Sequence, residues 1–185
     1  MIADLAPAAG SLSLDPALAR PDLLAEPVAA ALAALPDDVA ASCAVAEIDP
    51  DLADTAAFCE AYGSPLEASA NCVVVAGSRS GEQRFGACVV LATTRADVNG
   101  VVRKRLDVRK ASFAPMDTAV ELTGMAYGGI TAFGLPASWP LLVDAAVLAT
   151  PAVVVGSGIR GSKLVVPGAV LGRLPGAESP EGLAR

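Results

Sequence analysis

With 185 residues, 54% of them hydrophobic and only 4% aromatic, the chain is long enough to close one core, built mainly from Ala, Val and Leu. It contains no histidine, which excludes Ser-His-Asp and Cys-His nucleophilic catalysis, imidazole acid–base chemistry and most zinc sites. A net charge of −7 argues against a general nucleic-acid binder, and no run of about 18 apolar residues is available to span a membrane.

Residues 1–26 are rich in Ala, Pro and Asp without a sustained period, which predicts a loosely ordered N-terminal arm. The start "MIADLAPAAGS" lacks the basic and apolar regions of a signal peptide, so a cytoplasmic protein is expected. The core domain is expected over 27–175, followed by a tail over 176–185. "EPVAAALAAL" (26–35) has helical spacing, "ASCAVAEI" (41–48) alternates like a strand, and "DPDLADTAAFCEAYG" (49–63) reads as a helix stopped by Gly63. "NCVVVAG" (71–77) and "FGACVVLAT" (85–93) are strongly apolar and flank "SRSGEQR", which predicts a hairpin of two central strands.

"RADVNGVVRKRLDV" (95–108) reads as a helix, "KASFA" (110–114) as a short strand and "PMDTAVELTG" (115–124) as a helix from Asp117 to Gly124. "MAYGGITAFGLP" (125–136) is a Gly-rich loop. "WPLLVDAAVL" (139–148) follows as a strand running into a turn, "AVVVGSG" (152–158) as a strand, and "SKLVVPGAVLGRL" (162–174) as a strand and a short helix. Charge is unevenly spread over these elements: twelve acids face one base up to Glu67, whereas residues 79–110 hold eight bases and three acids. Arg103, Lys104 and Arg105 form the densest part of that basic island, which either meets phosphates or is a solvated face. Cys43, Cys59, Cys72 and Cys88 form no C-x-x-C pair and read as buried free thiols, so neither a metal site nor a cofactor is expected.

Gly156, Gly158 and Gly161 stand at the G-x-G-x-x-G spacing of a dinucleotide-binding turn. That motif needs a helix opening on the glycines and an acidic residue about 20 positions on. Here "SKLVV" and Pro167 follow, so the glycines are read as a tight turn between two antiparallel strands.

Two loops in order carry a resemblance. "ELTGMAYGGITAFGLP" (121–136) is similar to an L-T-G, G-G-x-[ST]-P, G loop, and "VVVGSGIRGSKLVV" (153–166) looks like a V-x-[SG]-x-G-x-R-G turn. Over about residues 28–175 the chain thereby resembles the YbaK/prolyl-tRNA synthetase-associated editing-domain family, the aminoacyl-tRNA deacylases. The resemblance implies an α+β single domain with a curved mixed, mostly antiparallel central sheet flanked by helices. It implies a freestanding deacylase that hydrolyses the ester joining a wrong amino acid to the 3′-terminal adenosine of tRNA. Its partners are then mischarged tRNA and an aminoacyl-tRNA synthetase.

An ester is already activated, so a histidine-free site can work by holding the carbonyl against backbone N–H donors and positioning water, helped by a ribose hydroxyl. Gly128, Gly129, Ile130 and Thr131 are candidates for that cradle, and Gly156, Ser157 and Gly158 for the facing wall; each glycine reads equally as a structural turn. Ser157, with no histidine to activate it, is a hydrogen-bond donor rather than a nucleophile. A small substrate pocket is expected from some of Met125, Tyr127, Ile130 and Phe133.

Two positions depart from the family's pattern. Asn71 stands where deacylating members carry a lysine before the first core strand, and Ala132 stands where the loop has proline, which removes a cation and a fixed φ. Arg160 or Lys163 could replace the cation. Arg160 is either a phosphate or carboxylate clamp or the partner of Asp144, and Asp144 either orients water or an α-amino group or caps a turn. Alternation along a strand lets only one of Lys163 and Leu164 face a pocket. The other reading is a lapsed module that binds a tRNA acceptor end, an aminoacyl-adenosine-like ligand or a synthetase without turnover.

Overall fold

The computed structural model describes residues 2–185. Helices and strands follow in this order: α1 (Ala6–Ala9), β1 (Asp15–Pro16), α2 (Glu26–Ala33), α3 (Asp37–Ala40), β2 (Ala44–Glu47), α4 (Thr55–Tyr62), β3 (Ala70–Arg79) and β4 (Glu82–Leu91). After them come α5 (Arg103–Arg105), β5 (Ala111–Phe113), α6 (Met116–Thr123), β6 (Leu141–Val143), α7 (Ala145–Ala149), β7 (Val153–Gly156), β8 (Ser162–Val166), α8 (Gly168–Leu171) and β9 (Ala177–Glu178). The fold is α+β, with helices packed on mostly antiparallel strands.

The longest unit is the hairpin of β3 and β4, ten residues each, joined at Ser80 and Gly81. Both turn residues have positive φ, 53° and 86°. That is the conformation a two-residue turn needs to follow the right-handed twist of its strands, so the strands run on to Arg79 and Glu82 instead of stopping at "SRSGEQR". Helices α4 and α6 end where expected, at Gly63 and Gly124, each left-handed with φ of 66° and 67°. Helix α6 begins after Pro115 with no side-chain cap from Asp117.

The strands form two sheets. One has the order β1-β2-β8-β7, all antiparallel, and the other β5-β3-β4-β6-β9, in which β6 runs parallel to both neighbours. A parallel bridge between Ser69 and Val154 joins them where β3 starts. The turn between β7 and β8 is antiparallel, with Gly156 opposite Lys163, and no helix opens on its glycines.

The main core packs Val28 and Leu32 of α2 against Val45, Val89, Phe133, Leu164 and Val166. Full burial of one such aliphatic chain contributes about 1.5–3 kcal/mol. Strand β8 is buried along its whole length. Its residues alternate: Leu164 and Val166 face that core, whereas Val165 faces a second cluster with Phe58 and Val154.

Residues 2–26 are not the loose arm expected. Leu5, Ala8 and Ala9 are buried in the second cluster, and Leu23 and Leu24 in the first, because apolar side chains without helical period still cover the ends of a sheet. Residues 176–185 likewise pack down: β9 pairs with β6, and Leu183 is fully buried beside Val102 and Leu106. The expected helix over 95–108 becomes a π-helical turn at Val98–Val102 followed by the single turn of α5. The Asp97 carboxylate folds back over Gly100 to accept from the Val101 N–H at 3.2 Å, which opens the helical ladder.

Candidate functional site

A cavity of about 320 Å³ lies where the two sheets meet. Its walls are the first residues of β3, the last of β7, the loop at Tyr127–Ile130 and the N-terminal turn of α4 with Phe58. The volume is at the small end of the range for ligand cavities, enough for a short acyl group and part of a sugar.

Both glycine-rich bends meet behind one wall. The Gly158 N–H donates to the Gly129 carbonyl at 2.7 Å, and the Ala126 N–H donates to the Gly158 carbonyl at 2.8 Å. A Cβ on Gly156 would sit 2.3 Å from the Gly129 carbonyl oxygen, and one on Gly129 would sit 2.6 Å from that of Ile159. Glycine at these positions is therefore required by the close approach of two backbones. Two of the expected cradle donors are therefore occupied, the Gly129 N–H by the Ala126 carbonyl at 2.9 Å and the Thr131 N–H by the Met125 sulfur at 3.5 Å, as is the Gly158 N–H of the facing wall. The N–H groups of Gly128 and Ile130 form no hydrogen bond within the described residues, and both residues line the cavity.

Lys163 enters the cavity from β8. Its side chain shares the face of Val165, is 8% exposed, and places Nζ 2.7 Å from the Ala53 carbonyl and 5.6 Å from the centre of the Phe58 ring. Burial lowers its pKa, the nearby Arg160 lowers it further, and Asp54 and Cys59 act in the opposite direction. Among the described residues it forms no ion pair.

Arg160 does not pair with Asp144. Its guanidinium donates to the Pro50 carbonyl at 3.0 and 3.2 Å and to the Tyr127 carbonyl at 3.5 Å, with Asp54 at 4.0 Å. It thus ties the segment before α4 to the glycine loop at the cavity's edge. On the facing wall Asn71 accepts a hydrogen bond from the Thr55 hydroxyl at 2.9 Å. Cys72 also lines the cavity, but burial, aided by Cys88, pushes its thiol well above the ordinary range. It stays protonated at neutral pH and is no nucleophile.

The cavity gathers Asn71, Tyr127, Gly128, Ile130, Gly156 and Lys163 from the residues singled out in the sequence. Others lie elsewhere. Ser157 is fully buried, its hydroxyl held by Ser162 Oγ at 2.7 Å and the Ser162 carbonyl at 3.0 Å, a structural knot rather than a reacting group. Met125 and Phe133 belong to the main core, and Thr131, 0% exposed, sits on the buried side of the loop. Gly129 and Gly158 support the wall from behind. Asp144 is the N-cap of α7, accepting from the Ala146 N–H at 3.0 Å, which is why a helix rather than a turn follows β6.

Arg103, Lys104 and Arg105 lie at the opposite end of the β3–β4 hairpin, beside a second concavity with Arg79 and Arg109. At about 3.3 Å per residue, the eight steps from Asn71 to Arg79 put this patch roughly 25 Å from the cavity. Sequence reasoning missed Asp54, Thr55 and Phe58. Reading 49–63 as one helix hid the break at Ala53–Asp54 that turns the start of α4 into the cavity.

The aminoacyl-tRNA editing domain matches this chain over residues 49–174. No curated protein sequence matches it. Among solved structures, a candidate trans-editing enzyme for prolyl tRNA synthetase is similar at 20% identity and a TM-score of 0.65, covering 91% of this chain and 97% of the other. A scaffold protein redesigned to present grafted epitopes gives 20% identity and a TM-score of 0.68 over 84% and 94% of the two chains. The hypothetical protein APE2540 gives 20% and 0.61 over 72% and 85%. At this identity the likeness is one of fold.

Proposed function

Because the chain belongs to the aminoacyl-tRNA editing-domain family, we propose that it is a trans-acting deacylase that hydrolyses the ester of mischarged tRNA in the cavity between the two sheets. The observation that carries this reading is the wall made by two hydrogen-bonded glycine bends, where Gly128 and Ile130, whose N–H groups form no hydrogen bond among the described residues, line a cavity in which burial keeps the Cys72 thiol protonated. Such a site suits attack by water on an ester, where stabilising the developing oxyanion is the main task. Each such donor lowers the barrier by about 3 kcal/mol.

The cavity's volume fits a small acyl group. Pockets of this kind separate side chains differing by a methylene by only about 1–3 kcal/mol, so a second hydrolytic check on charging has value. The likeness in fold to a candidate trans-editing enzyme for prolyl tRNA synthetase over nearly its whole length agrees with a freestanding enzyme working beside a synthetase. No helix among the described residues is long and apolar enough to cross a membrane.

Single-turnover hydrolysis of tRNAs carrying Ala, Ser, Cys and Pro esters, then of the wider set, tests the proposal. At least one ester is expected to be cleaved far faster than in buffer, and uniform buffer rates would refute it. Asn71 favours a second reading, a binding module without turnover, because its carbonyl is engaged by Thr55 and the β3 wall offers no cation. Under that reading the wild type is inactive and Asn71→Lys gains hydrolysis.

A further inference from the structure

Lys163 is a charged group more than nine-tenths buried and aimed into the cavity, and the fold leaves it underused. An ammonium has three donors; one goes to the Ala53 carbonyl, and Phe58 presents its ring face, a cation–π contact rather than a hydrogen-bond acceptor. Asp54, the carboxylate nearest in sequence to that carbonyl, is 77% exposed and turned to Arg160. Burying an ammonium without a counter-ion costs several kcal/mol, so the position is understandable when a negative oxygen arrives in the cavity. Register fixes it there: Lys163 lies opposite Gly156 at the end of β7, at the same wall as the free Gly128 and Ile130 N–H groups.

Resting on the deacylase reading, we propose that Lys163 is a catalytic residue whose ammonium holds the acyl oxygen as it becomes an oxyanion, supplying from β8 the cation that position 71 of β3 lacks. In the step, a water oxygen bonds to the acyl carbon and the C=O π pair moves onto the oxygen facing Lys163. Collapse re-forms C=O and breaks the bond from the acyl carbon to the ribose oxygen. The leaving ribose oxygen takes the proton released by the attacking water, and the carboxylic proton of the freed amino acid passes to solvent. Lys163 starts and ends protonated.

This role fixes a sign. The groups that face Lys163 are Arg160, which favours the neutral amine together with burial, and Asp54 and Cys59, which favour the cation. A lysine acting as a cation loses its effect as pH rises through its lowered pKa, whereas a lysine acting as a base gains by the same rise.

The enzyme-dependent single-turnover rate is measured between pH 6 and 10 for wild type, Lys163→Gln, Lys163→Arg, and Lys163→Gln combined with Asn71→Lys. Expected are a loss of about 100-fold in Lys163→Gln, partial activity without an alkaline fall in Lys163→Arg, and a gain of about tenfold or more when Asn71→Lys is added to Lys163→Gln. Activity of Lys163→Gln within threefold of wild type, or a wild-type rate that rises with the lysine's deprotonation, overturns the proposal while leaving the deacylase reading intact.

Should wild type cleave no ester, that reading fails by itself, and Lys163 is judged by 13Cε NMR titration with 3′-alanylamino-3′-deoxyadenosine as probe. An upward shift of the Lys163 titration on adding the probe supports an acyl-oxygen contact. No shift overturns it.

Discussion

Gly156, Gly158 and Gly161, although spaced like a nucleotide-binding motif, serve unlike purposes one residue at a time. Gly156 lets the Gly129 carbonyl approach, Gly158 has a φ of 87° and abuts Ala25, and a Cβ on Gly161 would meet nothing within 4 Å. Gly156→Ala should therefore push the two bends apart, with overpacking of about 1–3 kcal/mol and loss of deacylation. Gly161→Ala should stay within about 0.5 kcal/mol of wild type and keep its activity. Urea denaturation with single-turnover assays checks both, and equal behaviour of the two variants would show that the contact between the bends is unimportant. The sequence marked these glycines and Lys163, but it carried no sign of which amides were already spent on holding the bends together. That is a property of pairing between residues about 30 positions apart, which local spacing does not encode.

At the scale of elements, the strands and most helices were legible because their signals are local: the apolar runs of β3 and β4, and the glycine stops of α4 and α6. What escaped was tertiary. Residues 2–26 have no period, yet Leu5, Ala8 and Ala9 seal the same cluster that holds Phe58 of α4, the residue under Lys163. The helix expected at 95–108 was overridden by one side chain, Asp97, bonding to the backbone. The arm thus supports the cavity indirectly. Leu5 is 2% exposed, so Leu5→Ala should cost about 2–5 kcal/mol of stability. It should also loosen α4, seen as faster amide hydrogen exchange over Thr55–Tyr62 than over β4. If exchange rises equally everywhere, the arm stabilises the fold without acting on the site in particular.

On the scale of the whole molecule, the densest positive charge of this acidic chain is set apart from the cavity. The basic island falls at the far end of the β3–β4 hairpin, roughly 25 Å from the cavity, so a nucleic acid with its 3′ end in the cavity can run along the hairpin toward it. The cations there are unequal. Arg105 is engaged by Glu178, with Nε 2.6 Å from the carboxylate, and Arg79 and Arg84 are drawn to Asp107, whereas among the described residues Lys104 and Arg109 form no such pair, and both line the second concavity. Lys104→Ala and Arg109→Ala should therefore each lower the slope of log affinity against log salt by about one unit. Arg105→Ala should lower it less, because its guanidinium is already engaged by the Glu178 carboxylate and less available to a phosphate. Titrations of tRNA at several salt concentrations measure this directly. Slopes that ignore all three substitutions would make the island a solvated face and move the tRNA path to another side of the protein.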